Sequence, residues 1–265
     1  MLTYPKIDPV IFKIGPFAVR WYGLMYVISF LCCLLLCKYQ LKERGKKDLY
    51  PFLENLLFYS FLGLIISARL GFCFFYYPDY FLAHPEEIIA IWKGGMSFHG
   101  GLIGAILAGY IYIKVHRQSF LWWADLVVVT APIGLFFGRI GNFINGEIYG
   151  IPSNLPWAMV FPEGGPIPRH PVQLYEGLVT GLFLFLFLWS LRKKNWIPGT
   201  KLALFLILYG ILRFLFEFLR DHTNTQSLPF IFGWMSMGQI LCLVMIFSGL
   251  LLLYLIRKNF VQKFL

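Results

Sequence analysis

Charge is scarce in this chain. Of its 265 residues only 14% are Asp, Glu, Lys or Arg, against roughly a quarter in a soluble domain. So little charge beside 58% hydrophobic residues excludes an ordinary soluble fold and points to an integral membrane protein. Cysteine is present without a pattern. Cys32, Cys33, Cys37, Cys73 and Cys242 all lie in apolar runs, with no pairing framework and no metal-ligand spacing to His or Asp, so they read as packing residues. No metal and no other cofactor is expected. A solenoid-length repeat and a low-complexity tract are also missing. The opening MLTYPKIDPVIFKIGPF lacks the basic–apolar–small order of a cleaved signal, so it is expected to remain in the mature protein.

What charge there is leans positive, with a formal net of +10. A basic balance can mark a nucleic-acid partner. Here the cations gather in short loops between apolar runs, which is membrane topology, and no nucleic acid is expected. Runs of about the 20 residues needed to cross the hydrocarbon core are expected at Phe17–Cys37, Phe52–Phe75, Gly94–Val115, Phe120–Gly141, Val172–Leu191, Thr200–Leu219 and Ser236–Ile256. The expected fold is an all-α integral membrane protein, a bundle of about seven transmembrane helices with a small extracytoplasmic head and an N-terminal arm. Residues 1–16 would be the surface arm, 17–141 the first four spans, 142–171 the head segment, 172–256 the last three spans and 257–265 the tail. Lys and Arg concentrate after spans one, three and five and in the tail. That places the C-terminus in the cytoplasm and the N-terminus outside.

The stretch Gly138–Gly150, GRIGNFINGEIYG, stands out. It sets Arg139, Asn142, Asn145 and Glu147 among glycines where an apolar run ends. Glycine permits tight turns and close approach, and the arginine fork suits phosphate or carboxylate. The asparagines donate and accept, and Glu147 accepts or acts as a base. A glycine-broken helix end whose polar groups satisfy one another is the alternative. Tyr209, Arg213 and Glu217 stack at i, i+4 and i+8 on one helix face. An ionisable group in a span costs about 2.5–3.5 kcal/mol on insertion scales, so such groups face the interior and pair. A structural ion pair and an anion site are both open there. His99, in FHGG, is either a packed histidine or an approachable proton carrier, since imidazole titrates near neutrality. His170 and Glu176 follow as second-rank candidates, with Pro171 suited to a first helical turn. Arg69, also second-rank, and Asp125 are either a buried pair or separate neighbours. Gly100–Gly104 and Gly177–Gly181 have the spacing of close helix packing.

Together these place arginines, amides, a histidine and a carboxylate toward one outer face, which argues for a phosphate headgroup. Five motifs then carry a resemblance: WYGLMY (21–26), GGMSFHGG (94–101), GRIGNFINGEIYG (138–150), RHPVQLYE (169–176) and YGILRFLFE (209–217). In this order, from DPVIF to SMGQI, the chain resembles the prolipoprotein diacylglyceryl transferases of bacterial inner membranes. The resemblance implies transfer of the diacylglyceryl group of phosphatidylglycerol to the lipobox cysteine of preprolipoprotein signal peptides. By it, Arg139 would bind the lipid phosphate, and Asn142, Asn145, Glu147 and Gly150 would shape the headgroup site. Arg213 would be a second essential cation oriented by Glu217, with Tyr22 and Tyr209 beside it, and His99 a candidate general base for the thiol. The stretch between Gly150 and Arg169 is shorter than in some relatives, which bears on the size of the head. The alternative from another class is a transporter or channel for anionic solutes. It would need repeat symmetry or paired broken helices, and the sequence offers neither. A lipid-binding scaffold without turnover is a third reading.

Overall fold

The computed structural model describes residues 2–5, 7–15, 17–222 and 234–262. Positions 1, 6 and 16 of the expected arm and 263–265 of the expected tail lie outside the described residues. The chain divides into two compact units, Met1–Leu36 with Leu121–Leu265, and Cys37–Phe120. Among the described residues, five helices are long and apolar enough to cross a membrane, or six when one bent pair is taken as a single span.

The unit Cys37–Phe120 is built on α2 (Tyr50–Tyr76) and α4 (Phe98–Val115), joined through the short α3 (Pro78–Ala83). In lipid there is no hydrophobic drive between helices, so close packing rests on small residues. A Cβ on Gly100 would stand 2.5 Å from the Ser67 carbonyl oxygen, and one on Gly109 would stand 2.7 Å from Ser60 Oγ. Gly104 likewise abuts Ser67 and the Gly63 carbonyl. The expected start of this span at Gly94 is corrected to Phe98. Gly94 and Gly95 have φ of 83° and 81°, outside the helical region, and Ser97 caps the helix by accepting from Gly100 N at 3.2 Å.

The other unit opens with an antiparallel hairpin, β1 (Val10–Ile14) and β2 (Phe17–Arg20). The first span therefore begins at Trp21, not Phe17. Helix α1 (Trp21–Glu43) runs past Cys37 into the segment expected as a basic loop, because Lys, Gln, Leu and Glu are good helix formers. The fourth expected span is two helices, α5 (Phe120–Val128) and α6 (Ala131–Asn145), bent by 46°. Pro132 has no N–H for the carbonyl one turn back, and the Thr130 hydroxyl donates to Val127 O at 2.8 Å. The fifth span is α7 (Val172–Glu176), a π-helical turn Gly177–Phe183 and α8 (Leu184–Ser190). Gly181 in that wide turn lies against Phe136 of α6, where a Cβ would meet its Cβ at 2.7 Å. Helix α9 (Thr200–Glu217) lies outside the apolar count because it carries Lys201, Arg213 and Glu217. It packs on α10 (Met237–Gln262), where Gly210 admits Ile246.

Between α6 and α7 the chain is irregular and held by isolated bridges. Pro152 and Met159 both pair with Arg169, Leu2 pairs with Met159, and Gly150 pairs with Arg220 beyond α9. Tyr4, Tyr149, Met159 and Phe161 form its buried core, with Phe143 of α6 against them.

Candidate functional site

The signature GRIGNFINGEIYG is a helix end that folds back on itself. Helix α6 stops where Gly146 takes a left-handed φ of 71°, a conformation glycine adopts without penalty. Glu147 N then donates to Asn142 O at 3.2 Å and Gly146 N to Phe143 O at 3.0 Å. The turn returns the Glu147 side chain to the helix it has just left. Its Oε1 accepts from Asn142 Nδ2 at 2.8 Å and from Asn145 Nδ2 at 3.2 Å. Asn142 Oδ1 in turn accepts from Arg139 Nη1 at 3.1 Å, so Asn142 relays between Arg139 and Glu147. Gln173 of α7 donates from Nε2 to the Glu147 carbonyl at 2.6 Å. Ile148 holds φ of 61°, which is strained for a β-branched residue and is the kind of strain that collects at functional sites.

The N-terminal arm completes that helix end. Tyr4 OH reaches Phe143 O at 2.6 Å and Ile144 O at 3.0 Å, carbonyls of the last turn of α6, where the regular intrahelical bonding runs out. Burial first, and the Glu147 charge second, raise the pKa of the Tyr4 phenol above the usual tyrosine value.

Beyond this turn lies an arginine–carboxylate cluster centred on Glu176. Its side chain is wholly buried, yet Oε2 lies 2.5 Å from Arg139 Nη2. Oε1 lies 3.4 Å from Arg220 Nε and 3.6 Å from Arg213 Nη1. Glu217 is the second carboxylate. Its Oε2 is 2.5 Å from Arg213 Nη1 one helical turn back, and 3.8 Å from Arg220 Nη1. Ser236 Oγ donates to Glu217 Oε1 at 2.7 Å, and Gly238 leaves room for that carboxylate, since a Cβ there would stand 2.5 Å from Oε1. Three guanidiniums thus share two carboxylates. Glu147 balances the third guanidinium only at a distance, through Asn142, so an incoming anion would meet charged donors in a poorly solvated place. Arg139 and Arg220 keep 18% and 19% of their side-chain surface open, against 10% for Arg213 and none for Glu176, so the open positive edge is theirs. Burial, then the neighbouring Arg213 charge, lowers Arg220 to about 10; it is a cation at neutral pH.

The sequence candidates fall as follows. Arg139, Asn142, Asn145, Glu147, Glu176, Arg213 and Glu217 meet in one network. Tyr22 of α1 lies against Gly141, where a Cβ would stand 2.7 Å from its ring, and its hydroxyl is 3.3 Å from that of Tyr26. Tyr209 stacks on Phe205 at 5.5 Å and packs with Val129, Leu184 and Leu188, within electrostatic reach of Arg139 and Arg213. Gly150 is a point of close packing: a Cβ there would meet the Leu219 carbonyl oxygen at 2.6 Å. His170 has its Nδ1 3.3 Å from Tyr175 OH, which accepts from Trp157 Nε1 at 2.6 Å.

His99 and Arg69 belong to the Cys37–Phe120 unit. His99 is exposed in the first turn of α4, with its ring edge-on to Phe98 at 5.5 Å. Arg69 and Asp125 have separate partners. Arg69 donates to backbone carbonyls of its own unit. Asp125 accepts from Gly199 N at 3.0 Å and Leu202 N at 2.8 Å, capping α9.

Two members of the network were not read from the sequence. Arg220 continues the Arg213 and Glu217 face at i+7, a visible signal, but it follows the expected span end at Leu219. Ser236 closes the Glu217 shell from a neighbouring segment, and no local pattern shows that.

Fold and site define a multi-helix membrane protein with a largely buried, arginine-rich site suited to a phosphate. Comparison with known proteins gives the family. The family described as prolipoprotein diacylglyceryl transferase matches residues 9–255. A relative from Bordetella avium is 49% identical over 98% of both chains. One from Nitratidesulfovibrio vulgaris is 45% identical over 96% of both. A third, from Pseudomonas paraeruginosa, is 44% identical over 99% of this chain and 98% of its own. All three are named phosphatidylglycerol–prolipoprotein diacylglyceryl transferase. The chain belongs to the prolipoprotein diacylglyceryl transferase family. Membership of a transferase family leaves the anion-transporter alternative without support.

Proposed function

We propose that this protein transfers the diacylglyceryl group of phosphatidylglycerol to the lipobox cysteine thiol of prolipoprotein signal peptides, at the outer side of a bacterial inner membrane. The observation that carries the reading is the convergence of three guanidiniums, Arg139, Arg213 and Arg220, on Glu176 and Glu217, with the open edge formed by arginines and the family's signature turn beside it. The thiol sulfur attacks the glyceryl carbon that bears the phosphate ester. A sulfur–carbon bond forms, the carbon–oxygen bond breaks, and glycerol phosphate leaves with the electron pair.

Arg139 and Arg220, at the open edge, hold the phosphate and stabilise the charge that grows on it as it departs. Arg213, fixed by Glu217 and Glu176, adds to that field. Asn142, Asn145 and Glu147 form a polar wall for the glycerol hydroxyls. A thiol of pKa about 8.5 must lose its proton before it attacks, and we assign that proton to His99. The loop charges support a topology with the N-terminus outside and the C-terminus in the cytoplasm.

The reading is tested with purified protein in phosphatidylglycerol vesicles and a lipobox peptide. Glycerol phosphate released should equal lipidated peptide, and a Cys→Ser peptide should yield neither. Peptide lipidation with a different phosphate product would overturn the assigned bond cleavage.

A further inference from the structure

Arg69 is a buried arginine, 5% exposed, whose donors are spent on the backbone of a single loop. Nε donates to Ile88 O at 2.8 Å and Nη2 to Glu87 O at 2.7 Å. Nη1 donates to Gly94 O at 2.6 Å and Gly95 O at 3.1 Å. The guanidinium also stands 5.1 Å from the Phe81 ring centroid and 5.7 Å from that of Phe72. One planar fork therefore ties both ends of the 87–95 loop to α2. Lysine, a point charge with three donors on a flexible stem, does not match that geometry.

The loop leads directly into the start of α4. Gly94 and Gly95 hold left-handed φ values of 83° and 81°, and the Phe72 ring fills the space where a Gly95 side chain would stand. The next grip comes from Ala68, beside Arg69, whose carbonyl accepts from Ser97 N at 2.8 Å. Ser97 is buried and caps α4 through Gly100 N. His99 follows two residues after Ser97. Glycines keep this joint tight: a Cβ on Gly71 would stand 3.1 Å from Ser97 Cβ, and one on Gly100 would stand 2.5 Å from Ser67 O. Hydrogen bonds from Arg69 to the loop and from Ser97 to Ala68, with close packing at Gly71, Gly95 and Gly100, thus link Arg69 to the first turn of α4.

We propose that Arg69 is a positioning residue: it clamps the 87–95 loop so that the first turn of α4 presents His99 in one fixed place. This rests on the assignment of the thiol proton to His99. Arg69 takes no part in binding the lipid, because its fork is consumed by carbonyls.

The test combines kinetics with hydrogen exchange on full-length protein. Arg69→Ala and Arg69→Lys should lower kcat on the order of 10²-fold, as a misplaced catalytic group does, and leave KM for phosphatidylglycerol unchanged. In the double variant with His99→Ala, Arg69→Ala should cost nothing further, because the two act as one unit. Amides 84–100 should exchange faster in both Arg69 variants while those of 53–66 stay as in the wild type. Should Arg69→Ala fail to fold, Arg69→Lys carries the same comparisons. Losses that multiply in the double variant, or unchanged exchange over 84–100, would overturn the proposal. Full turnover by His99→Ala would instead remove the proton assignment, leaving the exchange data to decide the clamp.

Discussion

Arg139 Nη2 lies 2.5 Å from Glu176 Oε2, so the arginine of the signature stretch is held by a carboxylate from the end of α7. Glu176 also faces Arg213 and Arg220. It is therefore the common counter-charge of the cluster, and under the proposed function a lipid phosphate would share these guanidiniums with it.

Glu176→Gln removes that counter-charge and leaves Glu217 as the one carboxylate in direct contact with Arg213 and Arg220, with Arg139 stripped of its ion-pair partner. Breaking a buried ion pair costs about 3–5 kcal/mol, and thermal unfolding in detergent should show a loss of that order. Phosphatidylglycerol should restore more stability to the variant than to the wild type, because a bound anion replaces the missing charge. Equal shifts in the two proteins would contradict the shared-phosphate account.

Arg220→Gln should weaken use of the lipid and leave the fold intact. Glu176 and Glu217 keep Arg139 and Arg213 as partners in that variant. A hydrogen bond to a charged group is worth about 1.5–3 kcal/mol, so KM for phosphatidylglycerol should rise by roughly 10- to 100-fold. An unchanged KM would remove Arg220 from the phosphate edge.

Gly150→Ala places a methyl group against the Leu219 carbonyl at 2.6 Å and Val172 Cγ2 at 2.5 Å. Backbone on one side cannot yield, so overpacking should cost about 1–3 kcal/mol, read as a lowered unfolding midpoint. A conserved midpoint with lost turnover would mean that Gly150 meets the substrate itself.

Tyr4→Phe removes the donor to Phe143 O and Ile144 O, costing about 0.5–1.5 kcal/mol near neutrality. The pKa of the Tyr4 phenol is raised on folding, so its contribution is complete below the unfolded tyrosine value, about 10, and is lost as pH rises through the folded value. The alkaline fall in stability should be shallower in Tyr4→Phe, as followed by unfolding midpoints from pH 8 to 12. Parallel curves would contradict the role given to the hydroxyl.

The helical membrane architecture was legible because a membrane demands long apolar runs. The core of the site was legible because polar residues in such runs need a reason: Arg139, Asn142, Glu147, Arg213 and Glu217 are all in the network. Span ends were less so. Helix α1 continues through charged residues that form helix readily, and the bend at Thr130 depends on Pro132 in a run that hydropathy treats as continuous. Glu176 looked secondary because nothing local shows that three arginines from distant parts of the chain converge on it. Arg69 shows the converse. The sequence left open a pair with Asp125, and the partners of Arg69 are backbone carbonyls, which carry no sequence signal.

The central claim is that Arg139 belongs to the site where phosphatidylglycerol gives up its diacylglyceryl group. The most direct measurement weighs a lipobox peptide by mass spectrometry after incubation with phosphatidylglycerol and either the wild type or Arg139→Ala, each checked for folding. The account predicts a gain of one diacylglyceryl unit on the cysteine with the wild type and none with the variant. Full lipidation by a folded Arg139→Ala would contradict it.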